Sequence, residues 1–249
     1  MRISIFSSLF HEIRNRVIGS ILIMAIIIFL TSINSLVNAF REISLLENGY
    51  HTEFILDAIR SDTVSSFIPI LAALPFSANY VDDVKNKFAR FYLIRTSYIT
   101  YCLSRIITCF LCGGFVIVAG AMLAWGGATL LFLPIEKVGK TYSDSADILM
   151  QTSALLFFYG SFCAVVGMTM SSMMESKYIA YASPFVIYYL LVILCERYFS
   201  DIFLLYPPNW IDPSVWPYGA WGAAVFLLEL TLAFGILFVV RAERRLQEL

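Results

Sequence analysis

The sequence predicts an all-α membrane protein, and three observations carry that prediction. Of its 249 residues, 59% are hydrophobic and only 14% are charged, whereas a soluble domain usually carries about 25% charge. The mean hydropathy is +0.78. The apolar residues fall in uninterrupted blocks close to the ~20 residues that a helix needs to cross a bilayer. We therefore expect a single transmembrane domain over residues 1–249, built from six membrane-spanning helices.

The six predicted spans are separated by polar or charged segments. They lie at about residues 17–38, 63–81, 106–134, 148–174, 178–195 and 218–240. Pro69 and Pro75 interrupt the second span, which a membrane helix tolerates where neighbouring helices satisfy the freed carbonyl groups. Pro184 stands near the start of the fifth span, where the missing amide costs less.

Residues 1–16 precede the first span and are amphipathic. Ile3, Phe6, Phe10 and Ile13 recur on one helical face. This pattern is typical of a helix lying in the membrane interface. An ordinary soluble amphipathic helix is the alternative, and the direct connection to the first span favours the interfacial one.

Small residues recur at regular spacing in the third and fourth spans. They return every seven residues in the third span and every three or four in the fourth: Gly113, Gly120 and Gly127, then Gly160, Ala164, Gly167 and Ser171. Such a stripe lets two helices approach closely. The sequence leaves open whether the approach is within one chain or between two, and scattered glycine without a packing role is the alternative.

Two of the connecting segments are distinctive. Residues 41–62 hold five acids, two arginines and His51, and we expect a short helical or irregular external loop with a solvated histidine. Residues 196–217 are too broken by proline to span the membrane and too apolar for a plain loop. Because Trp and Tyr favour the membrane interface, this segment is predicted to form short re-entrant helices in the outer leaflet.

The distribution of positive charge predicts the orientation. With both termini in the cytoplasm, the inner segments hold twelve of the 17 Lys and Arg residues and the outer loops hold five. Positive charge is enriched in cytoplasmic loops. Six spans with both termini cytoplasmic is therefore the predicted topology.

The inner segment at residues 82–105 is the most basic part of the chain. Five Lys or Arg residues stand there against Asp82 and Asp83, with Phe88 and Phe91 between the charges. A loop that is both basic and apolar is expected to dock on a soluble partner. Holding anionic lipid is a compatible alternative, because each basic residue near the surface contributes about 1 kcal/mol.

The chain shows no catalytic motif and no metal-ligating motif. His11 and His51 fall on opposite sides of the predicted membrane, and neither HExxH nor GxSxG occurs. Cys109 and Cys112 lie within an apolar run without a second pair nearby, so packing is the preferred interpretation. Gly139-Lys140-Thr141 lacks the preceding glycine of a phosphate-binding loop. We expect no catalytic residue, no metal and no cofactor bound by this chain.

Glu229 is the one acid deep within a predicted span. An intramembrane carboxylate is costly and is by default a functional hypothesis: it lines a pathway or binds a cationic part of a substrate. A structural carboxyl bonded to a neighbouring helix is the alternative. Phe157, Tyr159 and Met168 of the fourth span are the other pathway candidates, because aromatic and Met surfaces bind varied lipophilic ligands; lipid-facing packing is their alternative.

These features together resemble the permease subunits of type-2 ABC exporters. The family shares the amphipathic N-terminal helix, six spans, a basic loop between spans two and three, and a broken apolar segment between spans five and six. The local marks are Asp82-Asp83, the run Arg90-Phe91-Tyr92-Leu93-Ile94-Arg95-Thr96-Ser97 leading to Tyr101, and Tyr206-Pro207-Pro208-Asn209-Trp210. The resemblance covers the whole chain, and its architecture is more specific than its motifs.

The resemblance implies a coupling helix at 82–95 seated in a groove of a separate ATPase subunit, which the N-terminal helix also touches. The implied coupling residues are Asp82, Asp83, Lys85, Lys87, Phe88, Arg90, Phe91 and Arg95. It further implies two ATPase subunits that bind MgATP, a second permease that is identical or homologous, and a location in the bacterial cytoplasmic membrane among its lipids. Nucleic acid is not an expected partner.

Two further questions are left open by the sequence. The aromatic and Met-rich spans suit a lipophilic or amphipathic substrate. A lipophilic compound or an antimicrobial peptide is expected rather than a polysaccharide, because the sequence is short and shows no added carbohydrate-binding domain. A membrane sensing or immunity protein, which binds a peptide or lipid without transporting it, is the alternative function and would need no ATPase.

Overall fold

The computed structural model describes residues 2–41, 49–88, 97–136, 142–199 and 202–247, with side chains from Arg14 onward in the first helix. Every regular element in those ranges is helical. The α-helices are α1 (Arg2–Thr31), α2 (Ile33–Arg41), α3 (Tyr50–Arg60), α4 (Asp62–Ala73), α5 (Asn79–Lys85), α6 (Tyr98–Phe132), α7 (Tyr142–Met174), α8 (Lys177–Arg197) and α9 (Ala220–Gln247). Three short 3₁₀ helices lie between α8 and α9, at Phe203–Leu205, Pro207–Trp210 and Pro213–Val215.

Five helices are long and apolar enough to cross a membrane, so the chain has the character of a multi-pass membrane protein. Their spanning stretches are Arg14–Thr31, Tyr98–Phe132, Ala146–Met174, Lys177–Arg197 and Ala220–Arg245. They correspond to the first, third, fourth, fifth and sixth predicted spans. The first ends earlier than predicted, because the chain turns at Ser32 before α2 begins.

The helix α7 is the centre of the bundle. Its spanning stretch is 78% buried, against 22–39% for the other four, and α4, α6, α8 and α9 all pack against it. Tyr159, Phe162 and Met168 of this helix are buried in the interior, whereas Met150 and Met174 near its ends are exposed.

The small-residue stripes bring helices together within one chain, which confirms the predicted close packing. A Cβ at Gly113 of α6 would collide with the Cβ of Ala164 and would come within 2.9 Å of the Gly160 carbonyl oxygen on α7. Likewise, a Cβ at Gly167 would collide with the carbonyl oxygen of Ala180 on α8. Backbones this close leave room only for hydrogen at the glycine positions.

The second predicted span, residues 63–81, is not one helix. It is divided between α4, which ends at Ala73, and α5, which begins at Asn79, with turns between them. Pro69 is accommodated inside α4, and Pro75 lies in the turns. The hydroxyl group of Ser171 on α7 donates to the Ser77 carbonyl oxygen in this break at 3.3 Å, so α7 helps to satisfy the interrupted backbone.

The segment at residues 41–62, predicted as a short helical or irregular external loop, contains the helix α3, which agrees with the helical alternative, and one face of this helix packs into the bundle. Phe54, Ile55 and Ile59 on one face of α3 are buried, whereas Glu53 and Asp57 are exposed. A hydropathy average over both faces conceals such a helix, although its apolar spacing is visible in the sequence. Residues 42–48 of the predicted loop lie outside the described residues.

The prediction that the His51 side chain is solvated is wrong. The His51 side chain is 0% exposed and its Nδ1 lies 2.9 Å from Oε1 of Glu136, whose side chain is 4% exposed. The Glu136 carboxylate also accepts hydrogen bonds from the backbone amides of Gly49 at 3.1 Å and His51 at 2.7 Å. Glu136 follows the end of α6, so this cluster joins the start of α3 to α6.

The 3₁₀ segment after α8 folds into the bundle through its tryptophans. The Trp210 ring is 2% exposed and packs edge-on against Tyr159 at 5.7 Å and Phe162 at 5.6 Å, both on α7. The indole N–H groups of Trp210 and Trp216 donate to the carbonyl oxygens of Leu204 and Asn209, respectively, each at 2.8 Å. The segment is therefore ordered by its own indole hydrogen bonds as well as by apolar packing.

Candidate functional site

Three ion pairs gather at one end of the bundle, which we call the basic end. They join Asp82 to Lys177, Asp83 to Arg105, and Glu175 to Arg245. The first two connect α5 to α8 and to α6, and the third connects the turn after α7 to α9. Five of the helices are thus linked by charge at the end where the predicted coupling segment leaves the bundle.

The Asp83 carboxylate is the best enclosed of these acids. It is 16% exposed and Arg105 is 23% exposed, and the Tyr101 hydroxyl donates to Asp83 Oδ2 at 2.8 Å. The Arg105 guanidinium also lies 5.4 Å from the centre of the Tyr101 ring. Burial raises the pKa of Asp83, and the positive charge of Arg105 and the Tyr101 hydrogen bond act against that rise.

Apolar and polar contacts hold the same end of the bundle together. The Tyr80 ring of α5 packs edge-on against Phe238 of α9 with centroids 4.9 Å apart. The Tyr98 hydroxyl at the start of α6 donates to the Val239 carbonyl oxygen of α9. Both α5 and the start of α6 are therefore in direct contact with α9.

Two residues with positive φ end helices at the basic end. Lys87 has φ of 60° just after α5, and Glu175 has φ of 55° just after α7. The amide of Glu175 donates to the Ser171 carbonyl oxygen at 2.8 Å, which is typical of a helix end closed by a left-handed residue. Because a non-glycine residue adopts this conformation at a cost, the ion pair with Arg245 helps to hold Glu175 there.

The predicted coupling residues fall into three groups in the structure. Asp82 and Asp83 are engaged within the chain, as described above. Lys85, Lys87 and Phe88 are exposed, with Phe88 44% exposed. Arg90, Phe91 and Arg95 lie outside the described residues. The predicted loop 82–105 is shorter than expected, because α5 extends to Lys85 and α6 begins at Tyr98.

Glu229 lies on α9 and lines a groove on the bundle surface. The groove has a volume of about 640 Å³ and its other walls come from the 3₁₀ segment. Its aromatic lining is formed by Phe203, Trp216, Tyr218, Trp221 and Phe226. Glu229 and the 3₁₀ segment between the last two spanning helices therefore line one groove. The sequence did not predict this proximity.

The other predicted pathway residues lie elsewhere. Tyr159 is 1% exposed and Met168 is 2% exposed, so both belong to the packed core. Phe157 is half-buried in a ring cluster with Phe110 at 5.6 Å and Phe115 at 5.2 Å. None of the three lines the groove that contains Glu229.

The cysteines are packing residues where the structure describes their contacts. Cys109 is buried and its thiol donates to the Ala164 carbonyl oxygen at 3.3 Å, which agrees with the packing interpretation. Within the described ranges, no group of three or more His, Cys, Asp and Glu side chains is arranged to hold a metal ion.

Sequence reasoning missed most of the ion-pair partners at the basic end. Glu175 and Lys177 lie between the fourth and fifth predicted spans and Arg245 follows the sixth, so the sequence indicated only that they share the cytoplasmic side. The pairing joins residues 70 positions apart in the case of Glu175 and Arg245, and such pairing follows from helix packing. The shared cytoplasmic assignment of these segments was the one signal that placed them together.

These features define a helical, multi-pass membrane protein with an ion-paired basic end and an aromatic groove that contains a carboxylate. Comparison with known proteins finds no matching family model, no matching curated protein and no matching solved structure.

Proposed function

We propose that this chain is the membrane-spanning permease subunit of an ATP-driven exporter, coupled to a separate ATPase. The observation that carries the proposal is the ion-paired basic end. The predicted coupling segment begins within α5, where Asp82 forms an ion pair with Lys177 of α8 and Asp83 forms one with Arg105 of α6. A force applied to that segment by a partner would therefore be transmitted to the spanning helices.

The proposed topology has six crossings, with the second formed by α3 and α4. These helices have 11 and 12 residues and together reach about 35 Å at 1.5 Å per residue, enough for a hydrocarbon core of about 30 Å. They run antiparallel to α6, since His51 meets Glu136 and Ser77 lies 3.8 Å from Cys109. Twelve of the 17 basic residues then lie inside, with both termini.

The proposed outer face carries the 3₁₀ segment as a re-entrant element. Support comes from Trp210, whose ring contacts Phe162 on α7. Phe162 lies about 30 Å along α7 from Tyr142 at 1.5 Å per residue, so the segment reaches deep into the bundle. The interfacial placement of residues 1–16 is part of the same proposal, although the side chains of residues 2–13 lie outside the described residues.

The proposed mechanism uses two packings of the spanning helices. Two ATPase subunits supply MgATP binding and hydrolysis, and their closure pushes the coupling segments of two permeases, identical or homologous. The ion pairs of Asp82 and Asp83 pass the displacement to α8 and α6, and the contact between Tyr80 and Phe238 passes it to α9. Packed helices shift between discrete arrangements rather than deforming continuously. The proposed location is the bacterial cytoplasmic membrane, and the proposed substrate is a lipophilic compound or an antimicrobial peptide.

The first experiment is co-purification of the tagged chain in mild detergent, with mass identification of bound proteins and an ATPase assay. We expect an ABC ATPase in the sample, and we expect it to be lost from an Arg90→Glu, Arg95→Glu double variant. Arg197→Glu is the matched control, because it reverses an exposed charge at the other end of α8 and should retain the ATPase.

A second candidate function is a membrane sensing or immunity protein that binds its ligand without transport. The surface position of the Glu229 groove favours it, since binding there requires no path through the bundle. Purification without any ATPase, combined with unchanged behaviour of the Arg90 and Arg95 variants, would favour this function and contradict the exporter proposal.

A further inference from the structure

The groove on α9 combines one carboxylate with several aromatic surfaces. Trp221, Val225 and Glu229 follow one another at four-residue spacing and so form one stripe on α9, with about 6 Å between successive residues. All three line the groove, and no Lys or Arg side chain lines it in the described part of the chain. Its charge therefore comes from Glu229 alone.

The walls of the groove are held in place. The Trp216 ring packs against Phe226 at 5.4 Å and against Phe203 at 5.7 Å, and its indole amine donates to the Asn209 carbonyl oxygen. Gly222 forms part of the lining, and a Cβ there would meet the Trp216 ring at an ordinary 3.6 Å. The groove thus has a rigid aromatic wall and a floor that a larger side chain would fill.

Two of the aromatic side chains that line the groove are largely exposed and can contact a ligand. Trp221 is 80% exposed and Tyr218 is 83% exposed. A Trp face attracts a cation through its ring quadrupole, and this attraction grows when the cation is desolvated. The volume of about 640 Å³ lies within the usual range of about 300–1,000 Å³ for small-molecule sites.

We infer that the groove binds a lipophilic organic cation, an amphipathic compound with one positive charge and an apolar body. Charge complementarity selects this occupant. A lipid tail or another apolar surface would leave the Glu229 carboxylate unpaired in an apolar setting, which is costly, and an anionic headgroup would be repelled. The positive charge lies between Glu229 and the face of Trp221, and the apolar body contacts Val225 and Phe226. This inference rests on the proposed function, for which it names the substrate class.

The test compares two ions of the same shape and opposite charge. Binding of radiolabelled tetraphenylphosphonium and of tetraphenylborate to the purified full-length chain is measured by equilibrium dialysis in an uncharged maltoside detergent, with empty micelles subtracted. We expect saturable binding of the cation with an affinity about tenfold or more above that of the anion, since tenfold corresponds to about 1.4 kcal/mol. Equal binding of the two ions would overturn the inference.

Four variants assign the binding to the groove. Glu229→Gln should abolish the preference for the cation, and Trp221→Ala should weaken cation binding about two- to fivefold. Gly222→Leu should weaken both ions alike by filling the floor. Glu53→Gln removes an exposed acid on α3 and should bind as the unaltered chain does. A cation preference that survives in Glu229→Gln places the site elsewhere and overturns the inference.

Two other occupants are outcomes of the same experiment. In the first, a lipid with an ammonium headgroup co-purifies stoichiometrically, is lost in Glu229→Gln, and the probe does not bind. This result would identify a lipid-binding site and overturn the inference. In the second, a Trp221→Cys variant forms a disulfide between two chains and the probe does not bind, which would show that a second copy covers the groove and would also overturn the inference. Neither measurement uses an ATPase, so failure here is distinct from failure of the exporter proposal.

Discussion

The Nδ1 atom of His51 lies 2.9 Å from Oε1 of Glu136, although 85 positions separate the two residues. The carboxylate also accepts hydrogen bonds from the backbone amides of Gly49 and His51. One side chain therefore satisfies three donors at the start of α3, the two amides and the His51 ring. Since isolated helices of this length are marginal, α3 depends on contacts such as this one and on its buried face.

Replacing Glu136 by Ala should therefore destabilise the protein. Removing the carboxylate leaves the backbone amides of Gly49 and His51 and the His51 ring without this acceptor, and a buried donor left unsatisfied costs about 1–3 kcal/mol. We expect Glu136→Ala to lower the thermal unfolding midpoint in detergent markedly, with Glu136→Gln less affected because its amide oxygen still accepts one amide. Glu53→Ala, at an exposed position of α3, is the control, and an equally small effect of both Ala variants would contradict this account.

The contact between Gly113 and Ala164 predicts a second, sharper contrast. Gly113→Ala places a methyl group where the Cβ of Ala164 and the Gly160 carbonyl oxygen already stand. Overpacking of this kind costs about 1–3 kcal/mol, and Gly113→Leu should prevent the native packing of α6 on α7.

The matched control lies on the same helix. Gly126 of α6 has nothing within 4 Å of its would-be Cβ, and Gly126→Ala should be neutral or stabilising by up to about 1 kcal/mol through helix propensity. Thermal unfolding of the detergent-solubilised variants measures both effects. Equal stabilities of Gly113→Ala and Gly126→Ala would show that α6 and α7 do not approach as described.

The sequence predicted the long helices well because each carries its own signal. Five spanning helices agree with uninterrupted apolar blocks, and the glycine spacing correctly indicated close helix packing. The second predicted span was misjudged because it left out α3, which exposes Glu53 and Asp57 while it buries Phe54 and Ile59. Averaged hydropathy responds to composition, whereas burial depends on which face meets the neighbouring helices.

The candidate site was less predictable for a different physical reason. Asp82 and Asp83 were recognised as part of an important segment, but their partners Lys177 and Arg105 are set by how α5, α6 and α8 pack. Glu229 was identified by the rarity of an acid within an apolar run. Trp216 and Phe203 line the same groove as Glu229. Their position depends on how the 3₁₀ segment folds against α9, and no local spacing in the sequence predicts it.

The ion pair between Asp83 and Arg105 should couple more strongly than the pair between Glu175 and Arg245. The first is well enclosed, whereas Glu175 is 50% exposed. Exposed pairs typically contribute about 0.2–1 kcal/mol, and charge pairs removed from water contribute more when hydrogen bonds accompany them. Double-mutant cycles with Ala at each position, read out as unfolding free energies, measure the two coupling energies. A larger value for Glu175 and Arg245 would contradict the burial argument.

The pair of Glu175 and Arg245 also predicts a pH dependence. The hydrogen bond and the charge of Arg245 hold the pKa of Glu175 below its ordinary value of 4.5. A carboxyl whose pKa is lower in the folded state stabilises the fold above its unfolded pKa, and this contribution is lost as the pH falls through the lower folded value. The difference in unfolding midpoint between the unaltered chain and Glu175→Gln should therefore be constant near neutral pH and shrink below about pH 4.5.

The size of that difference should be small, because solvent screens a half-exposed pair. The measurement is a series of thermal unfolding midpoints between pH 3 and pH 7 in the same detergent, at low salt. Arg245→Gln should show the same loss of pH dependence, since either substitution removes the interaction that lowers the pKa of Glu175. A difference that instead grows as the pH falls would mean that Glu175 is destabilising when charged, contrary to its pairing with Arg245.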